Sequence, residues 1–240
     1  GEHPVSGPRV LEASWLGRVA YAQGLRLQEL RVEEVREGRA PEALFLLEHD
    51  AVITLGRNAH REHVVASPQS LAAMGIGLAE CGRGGDVTYH GPGQLVGYPI
   101  LDLAPGQKDV WKYVRGLEEA VIRTLAEYAI PADRIQGLTG VWVKGRKVAA
   151  IGVRVARWVT SHGFALNIAT NMDHFATIIP CGIRNHGVTS MAELLDAPPP
   201  LREVAERFAP HFAEIFGREL AWVSGPGLAP AGCEGGEKRK

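Results

Sequence analysis

The sequence predicts an α+β domain: a mixed, largely antiparallel sheet flanked by helices. Three strand-like runs follow one another between Val141 and Ile168. Helical patterns stand isolated between such runs instead of alternating with them, which disfavours a regular parallel α/β fold. Between Cys81 and Leu103, glycine is dense and interleaved with Val87, Thr88, Tyr89, Leu95, Val96 and Tyr98, as expected for strand and loop beside a ligand. At 240 residues, 45% of them hydrophobic, the chain can bury a core without disulfides or metal.

In chain order, Ser14 to Gly38 places Leu16, Val19, Ala20, Leu27, Leu30 and Val35 among charges, which predicts a surface helix. Residues 1–13 would then be an N-terminal extension. Pro41 breaks the pattern, and Ala43–Leu47 and Ala51–Leu55 follow as adjoining strands before the turn at Gly56. Ser67-Pro68 predicts a helix start, since the hydroxyl can cap free amides while proline sets the first helical φ; Gly75 ends it. From Asp109 to Tyr128, Val110, Val114, Leu117, Val121 and Leu125 form one helical stripe. Val141–Val143, a Lys144-Gly145 turn and Lys147–Val155 predict a hairpin, with Val159–Ile168 as the next strand. Thr189-Ser190 precedes a short helix, and the prolines from Pro198 to Pro200 a stiff break. Leu201, Val204, Phe208, Phe212 and Phe216 then mark a last amphipathic helix, and Glu219–Val223 a closing strand. The domain would thus span 14–223, with 224–240 as a flexible tail.

A formal charge of −1 argues against nucleic acid as the partner, and no apolar run reaches the roughly 18 residues of a membrane span. Gly1 to Val10 shows no export signal, and the three cysteines, Cys81, Cys181 and Cys233, form neither a disulfide framework nor a zinc spacing. A cytoplasmic setting is expected. Between Asp133 and Asp173, Arg134, Lys144, Arg146, Lys147, Arg154 and Arg157 stand without an acidic residue, which suits an acidic protein partner.

Arg83-Gly84-Gly85-Asp86-Val87-Thr88-Tyr89-His90 and the following Gly91-Pro92-Gly93-Gln94 combine close-approach glycines with polar and aromatic side chains. The stretch lacks the spacing and Lys-Ser/Thr ending of a P-loop, so it is read as a ligand segment of another kind, against the alternative of a glycine-rich hairpin. Cys181 lies between Pro180 and Gly182, where a loop would leave its thiol usable; Cys81 is the rival. Lys147 heads an apolar strand: either a solvated strand end or, placed near a cysteine, a group that favours thiolate. His49, His60 and His63 have no supporting cysteines, and no metal is expected.

These residues carry a resemblance. Glu48-His49 with Thr54-Leu55-Gly56-Arg57, Arg83 to Tyr98, Arg146 to Gly152, Ser161 to Asn167, and Pro180 to Ile183 with Val188-Thr189-Ser190 resemble the lipoyl(octanoyl) transferases over most of the chain. The resemblance implies the fold of the biotin and lipoate protein ligases, with 14–223 as the catalytic domain. It implies that Cys181 carries an acyl thioester and that Lys147 tunes or deprotonates it. It also implies that Arg83, Gly84, Gly85, Asp86, Val87, Thr88, Tyr89 and His90, Ala150, Ile151 and Gly152, and Gly163, Phe164 and Ala165 line the substrate pocket. The donor would be acyl carrier protein, bringing octanoyl-phosphopantetheine so that no separate cofactor is needed. The acceptors would be lipoyl domains of 2-oxoacid dehydrogenase complexes and the glycine cleavage H protein. Val87, Leu95, Val148 and Ile151 are expected to wall an acyl tunnel. The alternatives are an ATP-dependent lipoate or biotin ligase, which needs no cysteine nucleophile, and a non-catalytic carrier-binding module.

Overall fold

The computed structural model describes residues 7–179 and 186–226. Along them come β1 (Val10–Val19), α1 (Tyr21–Arg36), β2 (Glu42–His49), β3 (Val52–Leu55), α2 (Pro68–Met74), β4 (Gly77–Glu80), β5 (Val87–His90) and β6 (Gln94–Ile100). There follow α3 (Val110–Ala126), β7 (Val141–Val143), β8 (Arg146–Ala156), β9 (Val159–Asn167), α4 (Met191–Leu194), α5 (Leu201–Phe216) and β10 (Glu219–Trp222). Seven strands make one mixed sheet in the order β10-β1-β2-β6-β9-β8-β7, and β4-β3-β5 make a smaller one. In the large sheet the β10–β1 and β1–β2 pairs are parallel and the rest antiparallel.

Both faces of the large sheet are covered, which explains why β2 reads as a continuous apolar run instead of an alternating one. Leu44 and Leu46 point to a core shared with Leu117 and Val121 of α3 and Phe208 and Phe212 of α5. Phe45 and Leu47 point the other way, with Val96, Val35 and the partly buried Leu27. The large side chains that α3 and α5 bury each contribute about 1.5–3 kcal/mol, enough to seat both helices on the sheet. A third cluster, including Ile53, Leu71, Val87, Tyr89 and Phe175, lies under the small sheet.

The helix starts read from sequence at Ser67 and Asp109 hold. Ser67 accepts a hydrogen bond from the Ser70 amide at 3.1 Å, and Asp109 accepts one from the Lys112 amide at 3.0 Å. Two expectations need correction. The helix expected from Ser14 begins only at Tyr21, and β1 precedes it, reaching back to Val10 within the expected extension. Leu11 and Ala13, with the partly buried Trp15, repeat every two residues on the α3/α5 side. At Gly17, with φ of +67°, the register against β2 gains one residue. That bulge flips the alternation and turns Val19 to the α1 side, so apolar residues on both sides of it mimic a helical stripe. The second correction is that Ala43–Leu47 and Ala51–Leu55 are not neighbours in one sheet: β2 belongs to the large sheet and β3 to the small one.

Candidate active site

Between the two sheets lies a cavity of about 290 Å³. Arg83, Gly84, Gly85, Thr88 and His90 line it from the glycine-rich segment, Ala150, Ile151 and Gly152 from β8, and Gly163, Phe164 and Ala165 from β9. Asp86, Val87 and Tyr89 were expected there and are not in its lining. On β5 successive side chains leave on opposite faces, so Thr88 and His90 meet the cavity while Val87 and Tyr89 enter the core under the small sheet. The Tyr89 hydroxyl is 2.7 Å from His174 Nδ1. The Asp86 carboxylate accepts from the His60 amide at 2.7 Å and pairs with His63 Nδ1, holding the loop that carries both histidines. Of the expected tunnel wall only Ile151 lines the cavity; Val87, Leu95 and Val148 are fully buried core residues.

Arg57, Tyr98, Val110, Val114 and His162 also line the cavity. Tyr98 and His162 stand inside the motif blocks, so a signal existed for both. Val110 and Val114 come from α3, whose stripe reads simply as core.

Glycine makes the sheet thin where the cavity needs room. A Cβ on Gly163 would stand 2.1 Å from the Gly97 carbonyl oxygen, and one on Gly97 would stand 2.1 Å from the Phe164 ring. The two strands therefore approach closely only because both positions lack side chains.

Arg83 is 6% exposed, and its guanidinium donates to neutral oxygens. Nη2 donates to Thr54 O and Oγ1, both at 2.9 Å, and to Asp86 O at 3.1 Å; Nη1 donates to Gly84 O at 3.0 Å. Carbonyls satisfy its N–H groups without cancelling its charge, so the cavity wall carries a buried cation suited to an electron-rich ligand.

Beside it, His49, His90 and His162 are neutral. Burial pushes His49 down to about 4; burial and then the neighbouring His49 push His90 down to about 3; burial and then Arg83 and Arg154 push His162 down to about 4. The tautomers follow from the partners. His49 Nδ1 lies 2.7 Å from Val19 O, which can only accept, so Nδ1 donates and Nε2 accepts from the Tyr98 hydroxyl at 2.6 Å. Gln94 uses its amide nitrogen on Tyr89 O and Asn167 Oδ1, so its oxygen accepts from His90 Nδ1 at 2.7 Å. Asn167 in turn donates to Thr189 O at 3.1 Å. A continuous polar chain thus ties the cavity to the segment Gly187–Thr189.

The same segment is bonded to Lys147. The Lys147 amide donates to Gly187 O and its carbonyl accepts from the Thr189 amide, both at 2.9 Å. Lys147 is no solvated strand end: it is 8% exposed, with Nζ 5.0 Å from the Trp142 ring centroid. A bulge explains the placement. Val141 and Trp142 of β7 pair with Ala149 and Lys147 of β8, one residue more on β8. This puts Lys147 on the same side as Ala150, where the two share a small cleft with Thr88, Ala165 and Asn167. Thr88, Ala150 and Ala165 line both this cleft and the cavity, so Lys147 stands in a cleft that opens beside the cavity. Cys181, the expected nucleophile, lies outside the described residues.

Other candidates from the sequence fall elsewhere. Cys81 donates weakly from Sγ to Leu55 O at 3.6 Å and lines a separate cavity. The basic stretch is not one open face: Arg134 bonds Glu118 and Glu119, and Lys147 is buried. His49 sits in the large sheet, apart from the His60–His63 pair, whose rings are 5.1 Å apart.

Residues 20–213 match the family model of the lipoyl protein ligase A/B catalytic domain. The octanoyltransferase of Solibacter usitatus is 54% identical to this chain over 216 residues, covering 90% of this chain and 96% of its own. Among solved structures, lipoate-protein ligase A bound with ATP superposes with a TM-score of 0.75 at 17% identity, over 92% of this chain and 90% of the other. A bi-partite lipoate protein ligase from Thermoplasma acidophilum, studied with its E2 lipoyl domain, superposes with a TM-score of 0.70 at 16% identity, over 92% and 88%. At such identities the two superpositions speak for the fold alone.

Proposed function

Because this chain belongs to the family of lipoyl protein ligase A/B catalytic domains and is an acyltransferase akin to the octanoyltransferases, we propose that it takes an octanoyl group from acyl carrier protein onto Cys181. It then passes the group to a lysine of a lipoyl-domain protein. The observation that carries the reading is Lys147, a buried amine in the cleft that adjoins the cavity, backbone-paired to the segment that follows Cys181 in sequence. The glycine and alanine positions of that cavity leave room for an aliphatic chain.

In the first step the Cys181 thiolate attacks the carbonyl carbon of the donor thioester. The bond to the carrier's phosphopantetheine sulfur breaks, and that sulfur leaves with a proton. An ordinary cysteine, with a pKa of ~8.5, is only about 3% thiolate at neutral pH, so a neighbouring ammonium that lowers it by ~2 units raises the reactive fraction more than tenfold. Lys147 fills that role: as a neutral amine it takes the Cys181 proton, the resulting ammonium stabilises the thiolate, and it then gives that proton to the departing sulfur. In the second step the acceptor lysine attacks the Cys181 thioester, Lys147 accepts the proton of the incoming amine, and the thiolate leaves as an amide forms. Backbone amides are the expected donors to the tetrahedral oxyanion. Exchange of one thioester for another is nearly balanced and conversion to an amide runs downhill, so the transfer needs no ATP. The acceptors are lipoyl domains of 2-oxoacid dehydrogenase complexes and the glycine cleavage H protein, and the setting is cytoplasmic.

The test is an intact-mass measurement after mixing the protein with octanoyl-acyl carrier protein, without ATP or acceptor, before and after hydroxylamine. One labile octanoyl adduct is expected, absent in Cys181→Ala and slow to form in Lys147→Ala. Acceptor modification that appears only with ATP, and no adduct, would make the protein a ligase instead.

A further inference from the structure

We propose that His162 is the end wall of the acyl cavity and limits the length of chain the cavity accepts. The inference rests on the acyl-transfer reading above and goes beyond it. His162 lines two cavities at once: the one described, and a second of about 400 Å³ lined by Gln28, Cys81, Arg154, Ser161 and others. The two are neighbours separated at this residue.

Three features make it a built partition. First, its backbone is unusual. Along β9 strict alternation would send His162 to the face of Phe164, into the α3/α5 core. Instead it has φ of +56°, a conformation that costs a non-glycine residue about 1–3 kcal/mol. Its ring consequently stands edge-on to Tyr98, with centroids 6.2 Å apart and planes at 84°, on the side of the sheet covered by α1. Second, the strained position is held from outside the strand: the His162 amide donates to Gln28 Oε1 of α1 at 2.7 Å, and both residues are buried. Third, burial holds the imidazole neutral, so it meets an aliphatic chain without presenting a charge.

Its distance from the reacting end suits an octanoyl chain. Ala150 pairs with Ala165 where the cavity meets the Lys147 cleft, and Val153 pairs with His162. Three strand residues separate these pairs, about 10 Å at the strand rise, comparable with an extended eight-carbon chain. Beyond His162 the second cavity carries Leu25, Val32, Ala156 and Val159 on one part of its wall and Glu29, Arg36, Glu80 and Arg154 on another. A longer chain would find apolar surface there if the partition were removed.

The experiment compares wild type, His162→Gly and His162→Asn. Glycine adopts positive φ without strain and asparagine tolerates it, so both variants suit the backbone while removing or shrinking the ring. Rates of adduct formation are measured with octanoyl- and dodecanoyl-acyl carrier protein, and binding of free octanoate and dodecanoate is measured by calorimetry, with melting temperature as the control for folding. Wild type is expected to favour the octanoyl donor. The dodecanoyl-to-octanoyl ratio should rise roughly tenfold or more in His162→Gly, because extra methylenes gain a buried surface, and less in His162→Asn. If His162→Gly does not fold, His162→Asn decides. Equal use of both donors by wild type, or an unchanged ratio in a folded variant, would overturn the inference. A wild-type protein that forms no adduct and binds neither fatty acid would instead overturn the acyl-transfer reading on which it rests.

Discussion

Lowering the pH from 7 to 5 should destabilise this protein by a route that its three buried histidines specify. His49, His90 and His162 are pushed to about 4, about 3 and about 4 in the folded chain, whereas in the unfolded chain a histidine titrates near 6.5. The folded-state values are the lower ones, so the unfolded chain binds more protons between these limits. Stability is therefore complete above pH 6.5 and is lost as the pH falls toward 4. At pH 5 each unfolded-state histidine is almost fully protonated and its folded counterpart is not, which costs about 2 kcal/mol per histidine and roughly 5–6 kcal/mol for the three. Against a typical total of about 5–15 kcal/mol, that is a large share. The repulsion between His49 and His90 does not reduce the figure, because both stay neutral in the folded state throughout this window. The assay is urea unfolding followed by tryptophan fluorescence at half-unit steps from pH 7 to 5, with free energies extrapolated to water. In His49→Gln, which removes one titrating group, the slope between pH 6 and 5 should fall by about a third, whatever the variant's stability at pH 7. A free energy that stays within about 1 kcal/mol from pH 7 to 5, or a slope that the variant leaves untouched, would refute the assignment of buried, neutral histidines.

Gly163→Ala should cost about 3 kcal/mol, the upper end for overpacking, because the new Cβ meets the Gly97 carbonyl at 2.1 Å and Pro99 Cδ at 2.7 Å. Calorimetry should show a melting temperature lower by roughly 6–12 °C. Gly152→Ala, with its nearest contacts at 3.2 Å, should melt close to wild type; equal losses in the two would contradict the packing argument. Glu42→Ala leaves Arg218 buried without the carboxylate it meets at 2.7 Å, and removes the acceptor of the Asp102 amide. A loss of about 3–5 kcal/mol in urea unfolding is expected. Asn167→Ala breaks the link from Gln94 to Thr189 O. The rate of adduct formation should drop on the order of tenfold to a hundredfold through misplacement of the segment that follows Cys181, while octanoate binding by calorimetry changes little; a parallel loss of binding would point to collapse of the cavity instead.

Much of this architecture was legible in the sequence because its signals are local. The stripe of α3, the β7–β8 hairpin with its Lys144-Gly145 turn, and the Ser67-Pro68 helix start depend on residues within a few positions of one another. So does the identity of the pocket's main segments, since the glycine-rich run from Arg83 and the blocks at Arg146 and Ser161 carry a family resemblance in their order of residues. What each residue faces was decided elsewhere. One bulge at Gly17 turned an expected helix into the end of a strand. A second, on β8 opposite Val141 and Trp142, buried Lys147 beside Ala150 instead of leaving it in solvent. Alternation along β5 took Val87 and Tyr89 out of the cavity, and a left-handed residue put His162 into it. Leu11 pairs with Leu220 across nearly the whole chain, a contact that no local pattern announces. Strand side chains alternate with a period of two, so a single inserted residue reverses every later one. Composition and motif therefore specify the local elements and the main segments of the pocket, whereas the pairing and register of the folded sheets determine which strands meet and which side chains look inward.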